Sequence, residues 1–251
     1  MWFNPVMPDR IAIIADVHGN SRALKAVLAD IERRRADAIL NLGDSLYGPL
    51  EPAETVGLLM ARGIPSVSGN EDRLILEIAG GAPLPPRLAH TMAQMTPAIL
   101  EWLAGQPRTM SRDGFFLCHG TPVSDTEYLL ERVTASGVGL RPAQEVAAMI
   151  AAVAGPIVLC GHSHLPRLAQ AGGALIVNPG SVGLPAYHDD RPFPHAMEAG
   201  SAHARYALLE RGGDDWRVEH IALAYDWKAA AAAANRNGRP DWALWLAHGR
   251  V

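Results

Sequence analysis

Cysteine is scarce: the chain of 251 residues holds two, Cys118 and Cys160, too few for a disulfide framework. Each ends an apolar run and reads as a small buried hydrophobe. Charge is also thin, at 19% of residues against 49% hydrophobic, a balance that excludes a disordered chain and suits a buried core. No basic block stands out and the formal net charge is -4, which disfavours tight binding to long nucleic acid. Small anionic substrates stay open, because bound metals or a local group of arginines can supply positive charge. The longest apolar stretch, 146–160, is broken by Gly155 and Pro156 and is too short to span a bilayer. Residues 1–9 lack a basic segment followed by an apolar one, so no signal peptide is read there. The expectation is a soluble, cytoplasmic protein with no membrane partner. No internal repeat is found. One domain over residues 1–251 is the simplest organisation, with C-terminal helices in 226–251 packed on its outside.

What is present is a regular alternation. Residues 11–15 form a compact apolar run that reads as a buried strand. Asp16-Val17-His18-Gly19-Asn20 follows, and then a helix whose apolar positions are Leu24, Val27, Leu28 and Ile31, capped by Asn20 or Ser21. A second strand over 38–42 ends in Gly43-Asp44. A helix over 52–62 and a short strand over 66–68 lead into Gly69-Asn70-Glu71-Asp72. This order implies parallel pairing with right-handed crossovers. A helix is expected over 87–103, a strand over 115–118 ending in His119-Gly120, and a helix over 141–153 with Pro142 in its first turn. A strand over 157–160 ends in Gly161-His162-Ser163-His164. Hairpins are read at 167–170 with 174–177, across Gly172-Gly173, and at 204–210 with 217–223, across Gly212-Gly213. The Pro-, Gly- and His-rich stretch between them, 178–203, is long for a plain connection and suits a loop covering a site. Six consecutive alanines from Ala229 to Ala234, then Trp242 and Trp245, mark helices at the end of the chain, the two tryptophans as core or interface anchors.

At least four of these strands end in side chains of metal-ligand type. In parallel α/β sheets the carboxyl ends of strands face a common crevice, so residues remote in sequence can meet there. Asp16, His18, Asp44, Asn70, His119, His162 and His164 would combine hard oxygen with imidazole donors. That mixture suits Mn, Fe, Zn or Ni better than Ca. Strand-end turn chemistry explains any one of these residues alone, but not the set in this order.

The order Asp-x-His, Gly-Asp, Gly-Asn, His-Gly, Gly-His-x-His resembles the calcineurin-like metallophosphoesterases, over roughly residues 11–185. Asn178-Pro179-Gly180-Ser181-Val182-Gly183 is similar to the loop after the last histidine motif in their bacterial and archaeal single-domain phosphodiesterase branch. The resemblance implies a four-layer α/β/β/α sandwich with two mixed sheets, both late hairpins lying in the second sheet. It implies a first metal held by Asp16, His18, Asp44 and His164, and a second by Asp44, Asn70, His119 and His162, with Asp44 bridging. The implied activity is dimetal-dependent hydrolysis of phosphate esters by water activated between two divalent ions, manganese being favoured for activity.

One position departs from that pattern. Many members carry His directly after the metal-binding Asn, and here Glu71 and then Asp72 stand there. Glu71 and Asp72, beside Asp44, become the candidate catalytic carboxyls, although only burial or a like charge would keep one protonated near pH 7. A histidine of the later loop, His188, His195 or His203, is the other candidate acid. Candidate substrate contacts are Asn70, His119 and Asn20, the last being equally a helix cap. Tyr187 reads as either a base-stacking or a packed aromatic. Arg22 and Arg191 read as surface residues. Phosphodiesters or nucleotides are favoured over alkyl monoesters as the small-molecule partner. The alternatives are a non-catalytic metal-binding scaffold and a protein or small-molecule phosphomonoesterase. Homo-oligomerisation stays open.

Overall fold

The computed structural model describes residues 8–213 and 215–251, so most of the stretch searched for a leader, residues 1–7, lies outside the described residues. The chain opens with β1 (Arg10–Ile14), α1 (Ser21–Arg33), β2 (Ala38–Asn41), α2 (Pro52–Ala61) and α3 (Asn70–Ala79). It continues through a short α4 (Ala89–Met92), α5 (Pro97–Ala104), β3 (Thr109–Arg112) and β4 (Phe115–Cys118). Then come β5 (Glu131–Thr134), β6 (Gly137–Leu140), α6 (Ala143–Met149), β7 (Ile157–Leu159), β8 (Pro166–Ala171) and β9 (Ala174–Pro179). The last elements are β10 (Ala186–Asp189), β11 (His195–Glu198), β12 (Ala204–Gly212), β13 (Asp215–Leu223), α7 (Trp227–Arg236) and α8 (Pro240–His248).

Two mixed sheets carry the architecture. The first runs β13-β12-β1-β2 and the second β3-β4-β7-β9-β8, while β5-β6 and β10-β11 are separate hairpins. β1 pairs parallel with β2 and antiparallel with β12. β4, β7 and β9 are parallel neighbours, flanked by antiparallel β3 and β8.

The alternation of side chains along a strand explains the layers. On β1 and just beyond it, Ile11, Ile13 and Ala15 pack with Leu40, Phe115, Leu117, Ile157, Leu159 and Val177 between the two sheets. Ala12 and Ile14 face the other way, onto Leu24, Val27, Leu28 and Ile31 of α1. A strand buried on both faces must be apolar throughout, as this run is. On the outer face of the second sheet, Cys118, Val158, Cys160 and Ile176 pack against Val146 and Ile150 at α6. The result is helix, sheet, sheet, helix. Both cysteines are free and buried in that layer.

Several expectations need correction. The 204–223 hairpin belongs to the first sheet, because β12 runs antiparallel beside β1 from Ala207 to Glu210; only the β8-β9 hairpin joins the second. β12 extends through Gly212, which pairs with Asp215. The strand near 66–68 shrinks to one bridge between Asn41 and Ser66. The helix over 87–103 is broken, because Thr96 caps a new one, its Oγ1 accepting from Ile99 N at 3.3 Å, with Pro97 in its first turn. α6 is shorter than 141–153, and Pro142 stands at its cap. α3 was not anticipated; its start is fixed by Asp72, which reaches back to the Gly69 N–H at 3.1 Å. The loop 178–203 contains the β10-β11 hairpin. No helix among the described residues is long and apolar enough to cross a membrane.

Candidate metal centre

The carboxyl ends of β1, β2, β4 and β7 deliver their polar residues to one place. Asp16, His18 and His164 can place one ligand atom each within 4.8 Å of one another, and so can Asp44, His119 and His162. All six are buried. His119 joins the two groups, with Nε2 at 3.2 Å from Asp44 Oδ2 and 3.9 Å from Asp16 Oδ1. Asn70, first residue of α3, puts Oδ1 at 3.1 Å from His119 Nε2 and so stands with the second group. The seven side chains singled out in the sequence therefore converge.

The histidines are oriented from behind. His18 Nδ1 lies 3.0 Å from Tyr47 O, His119 Nδ1 2.8 Å from Leu42 O, and His164 Nδ1 2.6 Å from Leu184 O. A carbonyl oxygen only accepts, so each Nδ1 carries the proton and donates it. A neutral ring then turns an unprotonated Nε2 inward, the arrangement that presents imidazole to a metal. His18 Nε2 and His164 Nε2 face each other at 3.1 Å. With both Nδ1 positions donating, two lone pairs oppose there unless a cation lies between them. Asp16 makes the same point, since both of its buried carboxylate oxygens lack a hydrogen-bond partner. An orphaned buried carboxylate is costly. A divalent cation satisfies both requirements, so the residues present fit a metal.

The electrostatics agree for His18, His162 and His164 and differ for His119, whose two carboxylate neighbours favour the charged ring while no ion is present. Burial pushes His18, His162 and His164 down, His162 to about 4, so these three rings are neutral near pH 7. Burial opposes charge on His119 as well, but the Asp44 and Asp16 carboxylates outweigh it and push that ring up to about 10. Asp44 is held below the usual carboxylate range, His119, His18 and His162 overriding its burial. Asp16 is raised by burial.

Close backbone approach explains two glycines. A Cβ on Gly69 would lie 2.1 Å from Asp44 Oδ1, and one on Gly183 would lie 1.7 Å from Val17 O. Gly183 belongs to the segment that clamps the site from beneath. Ser181 Oγ donates to Asp16 O at 2.8 Å, Gly183 N donates to the same carbonyl at 3.0 Å, and Asn178 Nδ2 donates to Gly161 O at 2.8 Å.

Two anticipated roles fail. Asn20 is a cap: Oδ1 accepts from Ala23 N at 3.1 Å, and Nδ2 donates to Gly183 O at 3.0 Å and Tyr225 OH at 3.1 Å, leaving neither N–H for substrate. Asp72 is a brace rather than a catalytic carboxyl, because its two oxygens accept the Ser45 and Gly69 N–H groups at 3.0 and 3.1 Å. Glu71 keeps a place beside the site: its N–H donates to Asp44 Oδ1 at 2.9 Å, and its Oε2 is buried without a partner. Burial and then the nearby Asp44 push the Glu71 carboxyl up to about 8. Of the three later histidines, His188 is exposed beside Asp190 and His203 bonds Ser201. His195 is buried behind the site, bonded to the Tyr128 hydroxyl at 3.0 Å.

Of the aromatic side chains around the site, Tyr128 was not anticipated. Tyr128 stacks on His162 with centroids 4.6 Å apart, and Tyr187 meets His164 edge-on at 4.6 Å while donating to His162 O at 3.0 Å. Tyr187 is thus a packed aromatic. Trp242 of α8 is 1% exposed and stands edge-on to His18 at 5.7 Å, so the last helix builds part of the site wall rather than lying outside it.

Comparisons with known proteins agree with this arrangement. Residues 10–197 match the model described as the calcineurin-like phosphoesterase superfamily domain. A crystal structure of a metallophosphoesterase from Sphaerobacter thermophilus is 27% identical, with TM-score 0.76, over 96% of this chain and 99% of that one. A hypothetical protein from Pyrococcus horikoshii OT3 shares the fold at 20% identity and TM-score 0.73, over 96% and 98% of the two chains. An uncharacterised protein of Methanocaldococcus jannaschii is 25% identical, covering 94% of this chain and 96% of its own length.

Proposed function

From the premise that this chain belongs to the calcineurin-like phosphoesterase superfamily, we propose that it is a dimetal-dependent phosphodiesterase acting on small phosphate esters or nucleotides. The observation that carries the reading is the orphaned Asp16 carboxylate facing two inward imidazole lone pairs, next to a second group built on Asp44 and His119. Asp16, His18 and His164 would hold one ion, and Asn70, His119 and His162 a second, with Asp44 shared between them. Mn, Fe, Zn and Ni all suit this donor set, and we favour manganese for activity. Two divalent ions in such a site activate water as the nucleophile and neutralise charge building on the phosphoryl oxygens.

The chain's own residues do the rest. The Nδ1 bonds to Leu42, Tyr47 and Leu184 carbonyls fix ring orientation, so no reorganisation is needed as charge develops. Asn70 would turn Oδ1, which lies 3.1 Å from His119 Nε2, to the second ion, which leaves its Nδ2 to donate to a phosphate oxygen. Glu71, where many members of the superfamily carry His, stands beside Asp44 with a buried carboxyl. Once ionised, Glu71 would repel the second charge of a monoester more than the single charge of a diester, so the diester preference should strengthen as pH rises through about 8, the value to which burial and Asp44 push this carboxyl. We place the reaction in the cytoplasm, in keeping with the paucity of cysteine.

The test uses purified protein loaded with Mn²⁺ and offered bis(p-nitrophenyl) phosphate and p-nitrophenyl phosphate. The expected result is turnover of both, faster on the diester and abolished by a chelator. Absence of turnover with each of Mn²⁺, Fe²⁺, Zn²⁺ and Ni²⁺ refutes the assignment. Glu71→His should raise monoester turnover relative to diester; an unchanged ratio removes the selectivity argument.

A further inference from the structure

The two ligand groups are held by different parts of the chain. The stretch 178–183 grips the turn of Asp16 and the turn after β7. The second group is also bordered by the segment between His119 and β5. Asp125 in that segment takes both branches of Arg73, Oδ2 from Nε at 2.7 Å and Oδ1 from Nη2 at 3.2 Å. Arg73 lies on α3, the helix that begins at Asn70, so the segment is tied to a ligand of the second group. Three residues on, the Tyr128 carbonyl accepts from Arg141 Nη2 at 2.9 Å, which fixes the backbone that carries the Tyr128 ring.

That ring meets the one histidine of the set that is aimed differently. His18, His119 and His164 each have Nδ1 on a backbone carbonyl at 2.6–3.0 Å. The segment 121–130 holds His162 instead: Thr126 offers its backbone to the ring, and Tyr128 lies along the ring's face, centroids 4.6 Å and planes 23° apart. The phenol is itself immobilised at its far end. His195 Nδ1 lies 2.7 Å from Phe193 O and donates to it, so Nε2 accepts the Tyr128 proton across 3.0 Å. The Tyr128 oxygen in turn faces the Tyr187 hydroxyl at 2.9 Å, and Tyr187 also reaches the His162 carbonyl at 3.0 Å.

A side chain that only filled space there could be any apolar group. A flat ring in near-parallel contact does more, because it opposes rotation of His162 about Cβ–Cγ, and that rotation turns the ligating lone pair away from an ion. The aromatic partners of Tyr128 are His162 and His195, whereas Tyr187 also meets His164 of the first group. We infer that Tyr128 is a positioning residue for the second ion alone: braced by His195 and Tyr187, it sets the aim of His162, and its removal empties the second position while the first stays filled. This rests on the dimetal reading of the site.

The experiment titrates Mn²⁺ into the full-length, chelator-stripped protein by calorimetry, with electron paramagnetic resonance of the exchange-coupled ion pair as a second readout. Wild type should take up two ions and show the coupled signal. Tyr128→Leu should hold one ion within about threefold of the wild-type affinity, bind the other at least about tenfold more weakly, and lose the coupled signal when only the tighter position is filled. Tyr128→Phe keeps the stack and loses the hydroxyl. It should weaken the second ion by a smaller factor, about threefold, and leave the first unchanged; this mild variant carries the test alone if the leucine variant does not fold. Equal weakening of both ions means a role in the fold only and overturns the inference, as do unchanged affinities or a phenylalanine variant as weak as the leucine one. A wild-type protein that binds a single ion with no coupled signal sinks the dimetal reading as well, whereas two coupled ions indifferent to residue 128 sink the positioning role alone.

Discussion

Asp16→Asn should stabilise the protein without metal and weaken it toward metal, an inversion of sign that an aspartate serving only the fold would not produce. Both carboxylate oxygens of Asp16 are buried and unbonded, and His164 Nε2 lies 3.5 Å from Oδ1. Leaving a buried charged acceptor unsatisfied costs about 1–3 kcal/mol. An asparagine removes that charge and offers an N–H to an imidazole lone pair. One term opposes this: Asp16 attracts His119 from 3.9 Å. Asp44 meets the same ring at 3.2 Å, so most of that attraction survives. For a chain of this size about 1 kcal/mol shifts the melting temperature by about 2–4 °C. In EDTA the variant should therefore melt a few degrees above wild type. Adding Mn²⁺ at a hundredfold excess over its dissociation constant contributes about 2.7 kcal/mol, or about 5–11 °C, to wild type. With a ligand missing, the gain in the variant should fall to half or less. Differential scanning fluorimetry with and without metal reads all four values. A variant that melts below wild type in EDTA, or gains as much from Mn²⁺, refutes the claim that Asp16 is held unsatisfied for a cation.

Gly69→Ala puts a Cβ where Asp44 Oδ1 now lies, 2.1 Å away. Asp44 must swing, and displacement on the ångström scale should lower kcat/KM about a hundredfold; a change under threefold would show that Asp44 tolerates the shift. Trp242→Ala, which removes the ring beside His18, should cost about 3–5 kcal/mol of stability. It should also weaken Mn²⁺ binding about tenfold, measured by equilibrium dialysis, and unchanged affinity would confine Trp242 to the core. Asp30 accepts bonds from Tyr206, Arg33 and Arg34. Burial raises its pKa, but the Tyr206 and Arg34 bonds prevail and hold the carboxyl below its ordinary value. A depressed folded pKa gives stability that is present above the unfolded value and lost as pH falls through the folded one. Urea unfolding of wild type should thus become easier below about pH 4, while Asp30→Asn should start weaker at neutral pH and change less on acidification. Parallel pH profiles would contradict this.

Most of the candidate metal ligands were readable in the sequence because they follow apolar runs short enough to be strands; Asn70 follows only the single bridge at Ser66. Parallel strands carry their C-terminal residues to one edge, so Asp16, Asp44, His119 and His162 needed no contact information to be grouped. The sheet assignment of β12 and β13 was not readable in this way. Their alternation identifies a hairpin, but a hairpin can add to either sheet, and only the pairing of β12 with β1 decides. Asp72 misled for a related reason: a carboxylate two residues after a ligand could face the site or the backbone, and the Ser45 and Gly69 N–H groups that claim it belong to separate turns. Tyr128 and Arg239 carry no local signal at all, and Trp242 reads only as a core or interface anchor. Each acts through a ring or a fork lodged against a residue more than thirty positions away, or against a partner on its own helix whose importance appears only once α8 docks beside His18.

Backbone strain ties the ligand set to the segment beneath it. Asp16, His18, Asp44, His162 and His164 all have positive φ, between 51° and 68°. Non-glycine residues avoid that region at a cost of about 1–3 kcal/mol each, and hold it only where their surroundings over-determine them. Glycine would relieve the strain but has no side chain to offer a metal, so the fold must impose it instead. The imposing groups can be named. The Asp16 carbonyl is held from two sides by Ser181 Oγ and Gly183 N, and Asp16 N donates to Gly43 O at 3.0 Å. His18 N donates to Asp44 O at 3.0 Å, which binds the first two ligand turns to each other. The His162 carbonyl takes the Tyr187 hydroxyl, and Asn178 anchors the adjoining Gly161. The glycine-rich stretch from Asn178 to Gly183 therefore contributes no ligand of its own. Its task is to keep two aspartate and histidine turns in a conformation that a free chain would leave, so that the donors are already aimed when a cation arrives.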